Sequence, residues 1–210
     1  MNTPAGSANE SVFRYTAKAT PEHLAAAQSS SMLSTVFRAT TPELTSPHEV
    51  YYLPLDRMGL RAPATPEHWR PTSLDYLVRV PAADPATAAG YSAQCDLNTG
   101  EVTALNQSQL RASFAQVLAQ AQAEHAESGK LYEPRRLASP QLHVEALWLH
   151  AVHEGAATNC GDDVVYVIDP LDKTWRQADQ PYHMAEFLSV ASERASDFFR
   201  NLNVDEDLAD

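Results

Sequence analysis

Between residues 143 and 183 the chain gathers His143, His150, His153, Cys160, Asp162, Asp163, Asp169 and His183. No other stretch is as dense in side chains that move protons, bind metals or attack electrophiles. Three chemistries draw on such a set. In the first, Cys160 is a nucleophile with His150 or His153 as its base and an aspartate to orient the imidazole. A loop holding both ends of a hairpin together would bring these residues close, although Asp162 and Asp163 beside the thiol disfavour the thiolate that does the work. In the second, the histidines hold a metal. His150 and His153 stand three apart, which shares a face on a helix but not on a strand. With no HExxH, no paired CxxC and no facial-triad spacing, no metal and no cofactor are expected. In the third, an acid at the end of an apolar strand does the chemistry. Asp169 closes the run Val165-Tyr166-Val167-Ile168 before Pro170, a position that equally suits a turn initiator. No second carboxylate lies at a recognised spacing. The sequence therefore assigns no catalytic residue. If the chain is an enzyme, His150, His153, Cys160 and Asp169 are the candidates, on a hairpin spanning 143–169.

The elements that must position these residues are legible in the C-terminal half. Residues 142–152 and 164–169 read as strands. In the first, Val144, Ala146 and Trp148 point one way while Leu147, Leu149 and Ala151 point the other, the mark of a strand covered on both faces. Upstream, Tyr91 to Cys95 and Val102 to Leu105 flank Asp96-Leu97-Asn98-Thr99-Gly100, a hairpin with glycine at a positive-φ position. Asn106 with Gln109 forms a capping-box arrangement for a helix whose stripe is Leu110, Phe114, Val117, Leu118 and Ala121, with Gly129 as its stop. Pro181 opens a final helix with the stripe Met184, Phe187, Leu188, Ala191, Ala195, Phe198, Phe199 and Leu202. Strand, strand, helix, strand, strand, helix with hairpin-short links gives an α+β fold: a mainly antiparallel sheet with two long amphipathic helices on it. A curved sheet around a long helix, laid out as in cystatin-like or NTF2-like folds, is one form this order allows. That likeness is of architecture alone and carries no function.

The N-terminal half is less regular. Eight of the fourteen prolines fall between Pro42 and Pro85, so this stretch is expected to hold short extended pieces rather than a helix or central strands. Residues 49–53 and 74–80 are its best strands. Thr20-Pro21-Glu22-His23 recurs at Thr65-Pro66-Glu67-His68, with an echo at Thr41-Pro42-Glu43, and reads as repeated helix-start chemistry. The expected organisation is a flexible segment 1–12, one domain over 13–202 with an irregular insert at 42–85, and a flexible acidic tail at 203–210.

Charge is distributed unevenly. Of a net charge of −12, ten units lie in residues 141–210, where 14 acids face 4 bases, against 13 acids and 11 bases before them. Nucleic acid and anionic membrane both reward clustered Lys and Arg, so neither is an expected partner. The one basic knot, Lys130 with Arg135 and Arg136, reads as a solvated loop. An N-terminus without an apolar stretch, no run long enough to span a bilayer and two separated cysteines fit a cytoplasmic protein. The leading expectation is a non-enzymatic binding module, of inhibitor, chaperone or adaptor type, that engages a basic protein. Its contact residues would be Asp162, Asp163, Asp205, Glu206 and Asp207, with Trp175 as an aromatic anchor. Self-assembly is a further alternative, permitted by the glutamine-rich helix and the aromatic residues.

Overall fold

A computed structural model describes residues 12–38, 40–53, 55, 66, 69–81, 90–153, 160–168 and 175–206, with side chains through 202. Two short helices come first, α1 (Pro21–Gln28) and α2 (Ser31–Val36). Thr20 caps α1 by accepting from the backbone N–H of His23, and Pro21 presets the first helical φ. Ser30 caps α2 through Met32 N, so the serine run ends one helix by starting another.

Four strands follow, β1 (Glu43–Tyr52), β2 (Ser73–Arg79), β3 (Tyr91–Cys95) and β4 (Val102–Gln107), then helix α3 (Gln109–His125). The pattern then recurs as β5 (Tyr132–Ser139), β6 (Val144–Ala151), β7 (Val164–Val167), β8 (Tyr182–His183) and α4 (Met184–Glu206). All eight strands form one sheet in the order β4-β3-β2-β1-β5-β6-β7-β8. Every pairing is antiparallel except the central one, where β1 and β5 run parallel. Two four-stranded meanders, each followed by a helix, are thus joined at their first strands. The protein is α+β, with a mostly antiparallel sheet.

Both faces of the sheet are covered, and strand alternation decides which side chain meets which helix. Leu147 and Leu149 on β6 meet Phe114, Val117, Leu118 and Ala121 of α3. Ala146 and Trp148, pointing the other way, meet Phe187, Leu188 and Ala191 of α4. Ala27 of α1 and Leu33 of α2 cover Leu74, Tyr76 and Val78 in the first meander. At roughly 1.5–3 kcal/mol for each large apolar side chain buried, β6 is the most strongly anchored strand. Four consecutive residues, Ala146 to Leu149, have no exposed surface at all. A rigid strand is what a reactive site needs beneath it.

Several sequence expectations are corrected. Proline does not keep β1 out of the sheet's centre: Pro47 sits at a bulge between Thr45 and His48, where the ladder is already broken and Ser46 has φ +49°. Arg135 and Arg136 are not in a loop but on central strand β5, whose pairing with β1 starts at Arg135, just past Pro134. The missing proline N–H therefore removes no bond from that ladder. Asn106 does not cap α3, because it pairs with Ser92 in β4; Ser108 takes the cap position without a side-chain bond. Helix α3 ends at His125, with Gly129 (φ +66°) three residues beyond its Ala126 cap. The echo Thr41-Pro42-Glu43 leads into strand β1 rather than a helix. Segment 1–11, the tail from 207, Thr65 and Glu67-His68, and much of 54–68 lie outside the described residues.

Candidate functional site

The row Glu49, Arg135 and Trp148 crosses β1, β5 and β6 in register, all on the face shared with α4. His150 follows Trp148 by two residues and so shares its face. Tyr51 stands beside the row, its ring 5.2 Å from that of Trp148. Trp69, from the β1–β2 connection, closes in edge-on at 5.8 Å. The Arg135 guanidinium lies over Trp148 at 4.6 Å and Tyr51 at 5.3 Å, a cation–π arrangement that holds it against the aromatic wall. These residues, with Lys18, Pro66, Arg70 and Pro71, surround a pocket of about 320 Å³ into which His150 and Cys160 also open.

The 3₁₀ turn Cys160–Asp162 leads into β7 and places Asp163 directly below His150. Asp163 is fully buried. Its carboxylate accepts from Trp148 Nε1 (2.7 Å), from the backbone N–H of Ala151 (2.9 Å) and from His150 Nδ1 (3.0 Å). Its own backbone holds two further elements in place: Asp163 N donates to Cys160 O, and Asp163 O accepts from Met184 N at the start of α4. A ring nitrogen of His150, the Cys160 sulfur and a carboxylate oxygen of Asp163 all lie within 4.8 Å of one another. Neither Cys160 nor Cys95 is in a disulfide. Cys95 is a contrast: it is buried in the first meander, where burial pushes its thiol up to about 12.

The remaining candidates are distributed as follows. His153 is beyond the end of β6, 3.6 Å from Asp162, and shares a second, smaller pocket with His150. Asp162 faces solvent and bonds Lys130 at 2.8 Å; that bond holds its carboxyl below the usual range. Asp163 is held by His150 and Trp148 with a carboxylate oxygen still within 4.8 Å of the Cys160 sulfur, while Asp162 is turned to Lys130. Trp175 is no surface anchor, since it is 2% exposed and stacked on Phe187. Asp169 and Asp207 lie outside the described residues, and Asp205 and Glu206 fall on the last turn of α4 without described side chains.

On the opposite face a larger cavity of about 540 Å³ opens beside the start of α3, lined by Tyr52, Leu110, Arg136, His143, Glu145 and Ile168 among others. Its floor is a buried ionic network. Arg136 reaches Asp75 (2.9 Å) and grips Glu145 through Nε and Nη2, while Arg111 also bonds Glu145. His48, stacked on Phe114 at 4.6 Å, lies close by, and burial pulls its imidazole below the ordinary range. Ser139 lines this cavity, and no cysteine among the described residues does.

Period-2 alternation on β6 was enough to put Trp148 and His150 on one face. Lys18, Glu49, Trp69 and Arg135, which sequence reasoning missed as pocket residues, converge only through pairings that no local pattern encodes. The chain matches no protein-family model, no curated protein and no solved structure. Among the described residues no helix is long and apolar enough to cross a membrane.

Proposed function

We propose that this protein is a thiol-dependent acyl-transfer catalyst, with Cys160 as nucleophile, His150 as general base and acid, and Asp163 as the positioning residue. The observation that carries the reading is the convergence of the three side chains, with Asp163 bonded to Nδ1 of His150. An acceptor at Nδ1 puts the proton there and leaves Nε2 to take the proton of the thiol. The sulfur then bonds to a substrate acyl carbon, and the leaving group departs with the proton from His150. Water attacks the resulting thioester, gives a proton to the imidazole, and releases the acid and the thiol. A reducing cytoplasm, the expected location, would keep Cys160 in its active form.

A metal reading fits the same atoms less well. Both Asp163 oxygens already accept hydrogen bonds from within the protein. That leaves His150 and Cys160 as ligands, two where structural zinc takes four and catalytic zinc three. Capture of a basic protein by the acidic C-terminal third is the rival function. Of the acids nominated for it, Asp162 is the one described side chain that faces solvent.

The experiment is a stopped-flow reaction with p-nitrophenyl acetate, read as nitrophenolate release and as acetyl adduct by peptide mapping. A burst of one equivalent with the acetyl group on Cys160, lost in Cys160→Ser and His150→Ala, supports the reading. No acylation of Cys160 above the rate of a free thiol overturns it.

A further inference from the structure

The pocket over Cys160 has spent its acceptors and kept its donors. Glu49 takes hydrogen bonds from Thr16 and Tyr51 and an ion pair from Lys18 at 3.2 Å. Burial pulls the Glu49 carboxyl up, and those three partners outweigh burial and hold it below the usual range. Asp163 is saturated behind His150, and Glu133, just outside the pocket, is taken by Nε of Arg135. The donors are different. Trp69 is 8% exposed, and its buried indole N–H has no partner among the described residues. Arg70 is exposed and has no ion pair among them, and Arg135 gives them only its Nε. Cationic donors beside a wall whose acceptors are already taken favour a ligand that brings its own acceptors.

We infer that the substrate carries a carboxylate, read by Arg135 and Arg70, and that this group seats the electrophilic carbon against Cys160. The inference rests on the thiol-nucleophile reading of the same site and adds the substrate class to it. A planar carboxylate suits the place in two ways. The guanidinium of Arg135 stands over Trp148 and Tyr51, with its terminal nitrogens available for paired bonds to one acid. The aromatic and proline side chains that line the pocket put low-polarity surface beside those bonds, which strengthens them.

The test uses two alkylating agents of nearly equal shape on the full-length protein: iodoacetate, which bears the carboxylate, and iodoacetamide, which is neutral. In each, the sulfur displaces iodide from carbon. The iodoacetate-to-iodoacetamide rate ratio at Cys160, divided by the same ratio for glutathione, reports recognition of the anion alone. The expected value is about tenfold or more at low salt, falling as salt screens the site. Arg70→Gln, an exposed substitution, should lower the ratio, and Arg135→Gln should lower it further. A normalised ratio of one or less, or a ratio that ignores both variants, overturns the carboxylate inference. The nucleophile reading fails separately, when iodoacetamide alone reacts at the same rate in wild type and His150→Ala.

Discussion

Asp163→Asn is the most informative single substitution, because the new side chain keeps the shape and removes one acceptor oxygen. The carboxylate takes three donors, Trp148 Nε1 at 2.7 Å, Ala151 N at 2.9 Å and His150 Nδ1 at 3.0 Å. An amide oxygen can still serve one side. Its NH₂ must then face the indole N–H or the Ala151 N–H, and neither can accept. A hydrogen bond to a charged acceptor contributes about 1.5–3 kcal/mol, and a buried orphan donor costs about 1–3 kcal/mol. The expected loss is therefore about 3 kcal/mol, or about 6–12 °C in Tm for a chain of this size. Urea unfolding followed by tryptophan fluorescence measures it. The same substitution removes the acceptor that holds His150 in its working tautomer, so alkylation of Cys160 by iodoacetamide should slow by about a hundredfold. Two results would refute the reasoning. Stability within about 0.5 kcal/mol of wild type would mean that the three bonds do not anchor the turn. A clear loss of stability with unchanged alkylation would make Asp163 a structural acid that does nothing for His150.

Four further outcomes are expected. Arg136→Met strands the fully buried Asp75 without its cation and should cost about 3–5 kcal/mol, most of it recovered by adding Asp75→Leu, as a double-mutant cycle in urea will show. Arg111→Met should cost less, because Glu145 keeps Arg136. His48, held neutral by burial, binds a proton more readily when the chain is unfolded. Its contribution is complete above pH ~6.5 and declines as pH falls from there towards the lower folded value, at up to about 1.4 kcal/mol per unit. Stability in His48→Gln should therefore depend less steeply on pH in that window, with the slope left by the similarly depressed His125 remaining. Gly100→Ala places a Cβ 2.6 Å from the His23 backbone at φ +73° and should destabilise the fold by at least about 1 kcal/mol, read by thermal unfolding.

The readable parts of the fold were those written in short-range pattern. The Asp96–Gly100 turn is one, with Asp96 accepting from Asn98 N and Thr99 N. The two-faced alternation of β6 is another, and the stripe of α4 from Met184 to Phe198 a third, although Phe199 and Leu202, expected in that stripe, are exposed. The central β1–β5 junction was not readable, since a parallel pairing depends on contacts between distant segments and both strands contain a proline. At the site, the sequence placed His150, Cys160 and Asp163 in one candidate set and linked them by loop geometry. It could not show that Asp163 would be bonded to the imidazole, because that orientation comes from Trp148, Ala151 and the start of α4 acting together. Trp175 and Asp163 looked like surface contact residues by type alone, and burial against α4 and β6 removed both.

The measurement that bears most directly on the central claim is the rate of iodoacetamide alkylation at Cys160, followed by peptide mapping in native protein and in His150→Ala. Cys95, buried and with its thiol pushed up to about 12, is the internal reference and should react only on unfolding. Fast modification of Cys160 that slows about a hundredfold without His150, in a variant that urea unfolding shows to be folded under the assay conditions, is the expected result. Equal rates in the two proteins would mean that His150 and Cys160 are neighbours without being a catalytic pair.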